Sequence, residues 1–303
     1  AGTATITYTV TDGNGCTNST TASFTVNGLP ALSAIGGSNA LCAGSTTTLS
    51  NTTSGGTWSS SNLSVATINQ TTGLVSAVAT GSTIITYTVT NSNGCTNSVT
   101  MILNVNALPT ATVTAGGSTT ICDGTSVSLS ANAGTGYTYQ WSNGSADQTI
   151  SVSASGSYTV TVTDLNGCST TSAATAVTVT PLPTVASITG NTGVCVGSTT
   201  TMSSATTGGV WTSSNTGVAT ISTGGVVTGV TAGTTTITYT VTVGGCTNTA
   251  TTTVTVNSLP TATIAAASAT TFCEGGDVTL LGPSAPAGMT YTYVWNLNGT
   301  AIT

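Results

Sequence analysis

The chain has 303 residues, with no Lys, Arg or His and six acidic residues, for a formal charge of −6. Without cations it has nothing to neutralise nucleic-acid phosphates or to draw it to anionic lipid, and without His or Lys it lacks the usual general bases and activated nucleophiles. An apolar content of 38% is enough for packed cores, while no run of eighteen apolar residues is present to cross a bilayer as a helix.

The first ten residues, AGTATITYTV, recur inside Ser60–Val89 and Ser213–Val241, so a repeat is the unit of description and Ala1 falls within one. In Thr5–Val10, Ile6, Tyr8 and Val10 share one face and the threonines share the other. This period of two, rich in β-branched and aromatic residues, predicts half-buried strands. Ser157–Val162 and Thr236–Val243 repeat the pattern. Asp12-Gly-Asn-Gly, Asn93-Gly94 and Asn166-Gly167 lie between alternating runs and predict type I′ hairpin turns. Leu-Pro pairs at 29–30, 108–109, 182–183 and 259–260 recur at roughly 75-residue intervals between alternating runs, which marks short, stiff junctions. No stretch shows a helical period. About seven short strands per interval is the pattern of a β-sandwich.

Two kinds of segment alternate. Residues 1–30 are the C-terminal part of kind A, 31–109 a whole A, 110–183 a whole B, 184–260 another A, and 261–303 the N-terminal part of a B. Trp58, Trp141, Trp211 and Trp295 each follow the first cysteine of their segment and are expected as core residues, in preference to sugar-stacking platforms. Tyr8, Tyr87, Tyr158 and Tyr239 are expected as core or corner residues.

Kind A resembles the bacterial Ig-like domain of group 2. The resemblance rests on Trp211 to Asn215, Val218 to Ile221, Gly225 to Val230 and Ala232 to Thr234, matched at Trp58, Asn62, Val65 to Ile68, Gly73 to Val75 and Gly81. Kind B resembles PKD-like or Ig-like repeats of large secreted Bacteroidetes proteins, through Cys122-x-Gly124, Tyr139 to Gly144, Gly156 to Asp164 and Asn166-Gly-Cys168. The resemblance implies an all-β chain, a tandem array of Ig-like antiparallel β-sandwiches. It also implies a cell-surface adhesin context and no catalytic residues to carry over.

Each whole segment holds two of the eight cysteines. Without CxxC or His they do not read as a zinc site, and disulfides in an oxidising, extracellular compartment are expected. The expected pairs are Cys42–Cys95, Cys122–Cys168 and Cys195–Cys246, leaving Cys16 and Cys273 unpaired within the chain. The rival arrangement joins the first cysteine of one domain to the late cysteine of the next, as in Cys42 to Cys168. Asp12 and Asp164 supply too few oxygens for Ca²⁺ and read as turn residues. Glu274 and Asp277 read as a solvated loop in place of a paired-acid site, and Asp123 and Asp147 attract no special reading. The Thr-x-Thr rows read as strand formers, since an ice-binding face would need a flat solenoid. Sequons at Asn18, Asn51, Asn62, Asn69, Asn143 and Asn298 matter only if the source glycosylates Asn.

The expected role is a non-enzymatic stalk segment of a giant extracellular repeat protein, an adhesin or surface fibre. No cofactor, catalytic residue or metal is expected, and the partners are neighbouring repeats of the same polypeptide. A filament subunit, whose incomplete ends exchange strands with identical chains, is the first alternative. A carbohydrate-binding module, with surface glycans as partners and exposed aromatics, is the second.

Overall fold

Alternating Thr and Val or Ile favour extended backbone, and in the computed structural model every element among the described residues is a β-strand. The structure describes residues 1–286 and 288–302, so Ala287 and Thr303, within the last predicted segment, lie outside the described residues. The chain forms two compact units, residues 1–179 and 180–303. It is an all-β tandem array of Ig-like sandwiches.

The first unit opens with a two-stranded hairpin, β1 (Gly2–Thr11) and β2 (Thr17–Val26), in register from Gly2↔Val26 to Thr11↔Thr17. Next come β3 (Ala40–Cys42), β4 (Thr46–Thr48), β5 (Thr57–Ser60), β6 (Ala66–Ile68), β7 (Leu74–Ala77), β8 (Gly81–Thr90) and β9 (Thr96–Asn106). They make a sandwich of sheets β3-β9-β8-β5 and β4-β7-β6. Its core holds Leu49, Trp58, Val75, Ile85, Tyr87, Leu103 and Val105. The alternation of β8 reads directly as burial: Ile85, Tyr87 and Val89 point inward.

Still in this unit, β10 (Val113–Ala115), β11 (Thr120–Cys122), β12 (Val127–Ala131), β13 (Thr138–Trp141), β14 (Thr149–Val152), β15 (Gly156–Tyr158), β16 (Val160–Thr163), β17 (Ser169–Thr171) and β18 (Thr175–Thr180) form three three-stranded sheets. The orders are β10-β12-β14, β11-β18-β15 and β13-β16-β17. They surround Trp141, Leu129, Ile150, Val160 and Val162.

The second unit repeats the first sandwich as β19 (Gly193–Cys195), β20 (Thr199–Thr201), β21 (Val210–Ser213), β22 (Ala219–Ile221), β23 (Val226–Gly229), β24 (Gly233–Val243) and β25 (Cys246–Asn257). Its sheets are β19-β25-β24-β21 and β20-β23-β22, around Met202, Val227, Ile237 and Val254. Two hairpin pairs close the unit: β26 (Ala265–Ala266) with β27 (Leu280–Leu281), and β28 (Trp295–Leu297) with β29 (Thr300–Ile302).

Two features explain motifs of the repeat. Thr83 is buried on the inward face of β8, and its hydroxyl meets Ser60 Oγ at 2.9 Å, Ser61 Oγ at 3.2 Å and the Asn62 N–H at 3.0 Å. Thr235 gathers Ser213, Ser214 and Asn215 at 3.0, 3.2 and 3.0 Å. The Ser-Ser-Asn that follows Trp58 and Trp211 thus satisfies a polar group that would otherwise be buried alone. Gly73 lies at φ +72°, and a Cβ there would stand 2.5 Å from Leu49 O. Gly225, at φ +82°, would meet Met202 O at 2.3 Å. Only glycine fits where the chain passes so close to the opposite strand.

The expected type I′ turns do not form at the three Asn-Gly sites. Such a turn needs positive φ at both central residues, and here Gly15, Gly94 and Gly167 alone have it. Gly15 N–H instead donates to Asp12 O at 3.0 Å, and Asp12 N–H donates to Cys16 O at 2.9 Å, which makes a three-residue loop. The Asp12 carboxylate closes it by accepting from the Asn14 and Cys16 N–H groups, both at 2.9 Å. The side chain offers the tip more hydrogen bonds than a two-residue turn provides. Paired positive φ occurs instead at Gly244 and Gly245, between Val243 and Cys246.

Candidate functional site

The residues with chemistry to offer are the cysteines, and the hairpin tips position them. At the β16–β17 tip, Asp164 Oδ1 accepts from the Asn166 and Cys168 N–H groups, both at 2.9 Å. This fixes Cys168 at the end of the first sandwich, where β3 runs parallel to β9 with Cys42 opposite Asn106. The result is a Cys42–Cys168 disulfide, with Cα atoms 5.5 Å apart and a sequence separation of 126. Cys168 is wholly buried.

The expected pairs Cys42–Cys95 and Cys122–Cys168 are therefore not formed, and neither is Cys195–Cys246, because Cys195 is a free thiol. The cause is topological. The first cysteine ends the short parallel strand at one end of a sandwich. Cys168 rides the β16–β17 hairpin tip, which reaches the first sandwich. The arrangement of Cys42 with Cys168 is the rival reading. Cys16, Cys95, Cys195 and Cys273 are free, and Cys122 and Cys246 are not.

The tips also hold the Leu-Pro junctions. Asn97, two residues after Cys95, donates from Nδ2 to Pro30 O at 2.9 Å, and Asn91 Nδ2 donates to Gly28 O at 2.9 Å. In the second unit Asn248, two residues after Cys246, donates to Pro183 O at 2.9 Å. The corresponding residue after Cys168 is Thr170, whose Oγ1 is buried without a partner. A threonine is too short to make the asparagine's bond. These Asn-to-Pro contacts were not foreseen from the sequence, although the shared Cys-Thr-Asn tripeptide was visible at all three kind-A hairpins.

Of the four tryptophans, Trp58 and Trp141 are buried. Trp211 is half-buried against its core, and Trp295 is half-buried beside a cavity of about 540 Å³ lined by Pro260–Ile264 and Thr290–Val294. Trp58 and Trp211 lie against Tyr87 and Tyr239, with ring centroids 4.5 and 4.4 Å apart. Tyr87 Oη donates to Thr53 O at 2.7 Å and accepts from Gly56 N–H at 2.9 Å. Tyr239 does the same with Thr206 and Gly209.

Glu274 and Asp277 are exposed, and among the described residues no group of three or more His, Cys, Asp or Glu is placed to hold a metal. Asn51, Asn62 and Asn69, within sequons, each accept at Oδ1 from the N–H two residues on, and Asn51 Nδ2 donates to Ser33 O.

A family model of the bacterial Ig-like domain, group 2, matches residues 23–100. No curated protein matches the chain. Among solved structures, surface layer protein SbsC, domains 1–6, aligns over 99% of this chain and 52% of its own, at 19% identity and TM-score 0.22. The N-terminal eight Ig domains of Down Syndrome Cell Adhesion Molecule align over 84% and 43%, at 11% identity and TM-score 0.36. A Ca²⁺-stabilized adhesin that helps an Antarctic bacterium bind ice aligns over 84% and 82%, at 19% identity and TM-score 0.33. The chain spans about half the length of the first two.

Proposed function

We propose that this chain is a non-catalytic structural segment of an extracellular repeat protein, a stalk that carries an adhesive or surface-forming region away from a cell. The observation that supports this best is the Cys42–Cys168 disulfide, which joins one sandwich covalently to the next. A staple between neighbours stiffens a chain under tension more than one closed within a domain, and such bonds persist in an oxidising compartment. The junction contacts from Asn97 to Pro30 and from Asn248 to Pro183 serve the same end. Absence of Lys and Arg leaves trypsin-like proteases no site, which suits exposure outside the cell.

The experiment is localisation on the producing cell. An antibody raised against residues 31–179 should label intact, unpermeabilised cells, and the labelled polypeptide should show Cys42 and Cys168 joined when alkylated before reduction. Labelling that requires permeabilisation, or thiols recovered reduced at both positions, would refute the proposal.

A further inference from the structure

The two complete kind-A sandwiches differ at one loop, and the difference uncovers a tryptophan. Between β6 and β7 the loop runs from Asn69 to Gly73, and Gly73 N–H donates to Asn69 O at 3.1 Å. Between β22 and β23 it runs from Ser222 to Gly225, one residue shorter, and Gly225 N–H donates to Ser222 O at 3.0 Å. The longer loop brings Gln70 O to the Trp58 N–H at 3.0 Å, and Trp58 is 5% exposed. The shorter loop makes no such bond to the Trp211 N–H, and Trp211 is only half-buried.

Beside Trp211 lies a cavity of about 330 Å³, contained within the second complete sandwich. Trp211, Tyr239 and Met202 contribute its apolar lining, and Thr206, Thr207 and Thr223 contribute hydroxyls. Tyr239 Oη is already engaged, donating to Thr206 O at 2.9 Å and accepting from Gly209 N–H at 2.8 Å, which fixes the ring. The buried Trp141 likewise donates its indole N–H to Asp147 O at 2.7 Å. The Trp211 indole N–H instead reaches solvent without a partner among the described residues, as do the hydroxyls of Thr207 and Thr223.

The sequence from Pro181 to Pro260 contains no charged residue. Nothing in this sandwich would select an ion or compensate for desolvating one. An aromatic lining bordered by a few free polar groups suits a neutral ligand that is apolar on one face and polar at its edge. A pyranose has that form, with C–H groups on its ring face and hydroxyls around it. We infer that the Trp211 cavity binds one hexopyranose unit of an uncharged glycan. The sugar ring packs against the indole, with its hydroxyls toward the free groups of the rim. This binding is separate from the structural role proposed above, and its loss would leave that role intact.

The test titrates the full chain with cellotetraose, laminaritetraose and β-1,4-galactotetraose and follows the indole N–H resonances of its tryptophans by NMR. At least one of these sugars should move the Trp211 resonance saturably at millimolar concentration, with Trp58 and Trp141 unmoved. Tetragalacturonate, a charged counterpart, should leave it in place. Replacing Ser222–Gly225 with the sequence of Asn69–Gly73 should close the cavity and abolish the response. The reverse exchange in the first sandwich should create a response at Trp58. Gly224→Gln keeps the backbone as it is, since a Cβ there would meet only Ser222 Oγ at 3.8 Å. Its side chain stands at the cavity and should weaken binding by about tenfold or more. The proposal is overturned if no neutral sugar moves the Trp211 resonance, or if tetragalacturonate moves it equally. A response confined to Trp295, or one undiminished in both the loop exchange and Gly224→Gln, would also overturn it.

Discussion

Removing the Cys42–Cys168 bond without leaving a lone thiol, as Cys42→Ser with Cys168→Ser, perturbs one closed loop of 126 residues. In the chain-entropy model a loop of that length contributes about 5 kcal/mol at 25 °C. For the two sandwiches that it joins, about 5 kcal/mol corresponds to a fall of roughly 10–20 °C in the melting temperature. Melting followed by tryptophan fluorescence should also split, because Trp58 and Trp141 report separate cores that the bond unites. Pulling the molecule from its ends gives an independent reading. With the bond intact, the chain between the two cysteines cannot extend. Without it, about 440 Å of contour length is released, at ~3.5 Å per residue. Melting curves within a degree or two of each other, or identical extension traces, would refute a load-sharing role for this disulfide.

Four further outcomes follow from single sites. Tyr87→Ala should cost about 3–5 kcal/mol in denaturant unfolding, whereas Tyr8→Ala, in the same local sequence but exposed, should stay within about 0.5 kcal/mol. Thr83→Val leaves Ser60, Ser61 and Asn62 facing an apolar group and should cost about 1–3 kcal/mol, with Thr83→Ser close to neutral. Gly73→Ala should destabilise by more than about 1 kcal/mol through its clash with Leu49 O, while Gly94→Ala, at a similar φ but in open space, should cost less. Thr170→Asn should restore the missing bond to the Pro109 carbonyl and stabilise the junction by about 0.5–1.5 kcal/mol, read as a higher melting temperature.

How much of this was visible in the sequence depends on how local each feature is. Strand alternation in Gly81–Thr90 and the repeat itself translate directly into burial, because a period of two leaves one face to pack. The inward Thr83 breaks that pattern, and only the fold shows why three polar neighbours follow Trp58. The cysteine pairing was not legible from spacing. It depends on which end of a sandwich each hairpin tip faces, a property of topology, and the count of two per repeat fits both arrangements. The turns at Asp12, Asn91 and Asp164 were placed correctly but given the wrong geometry. The deciding contacts come from side-chain oxygens that reach back to the tip. The local sequence of Gly2–Val26 does not by itself show its exposure, since it matches that of buried copies.

The bond between Cys42 and Cys168 also closes a covalent ring that contains the Leu108–Pro109 junction. A single cut anywhere between these cysteines opens the ring but separates nothing, because both fragments stay attached through sulfur. Damage at the most exposed connecting stretch would then alter the chain's mass only after reduction. Such a segment keeps its mechanical continuity through proteolysis inside the ring, and its failure there would need both a cut and reduction of the Cys42–Cys168 bond.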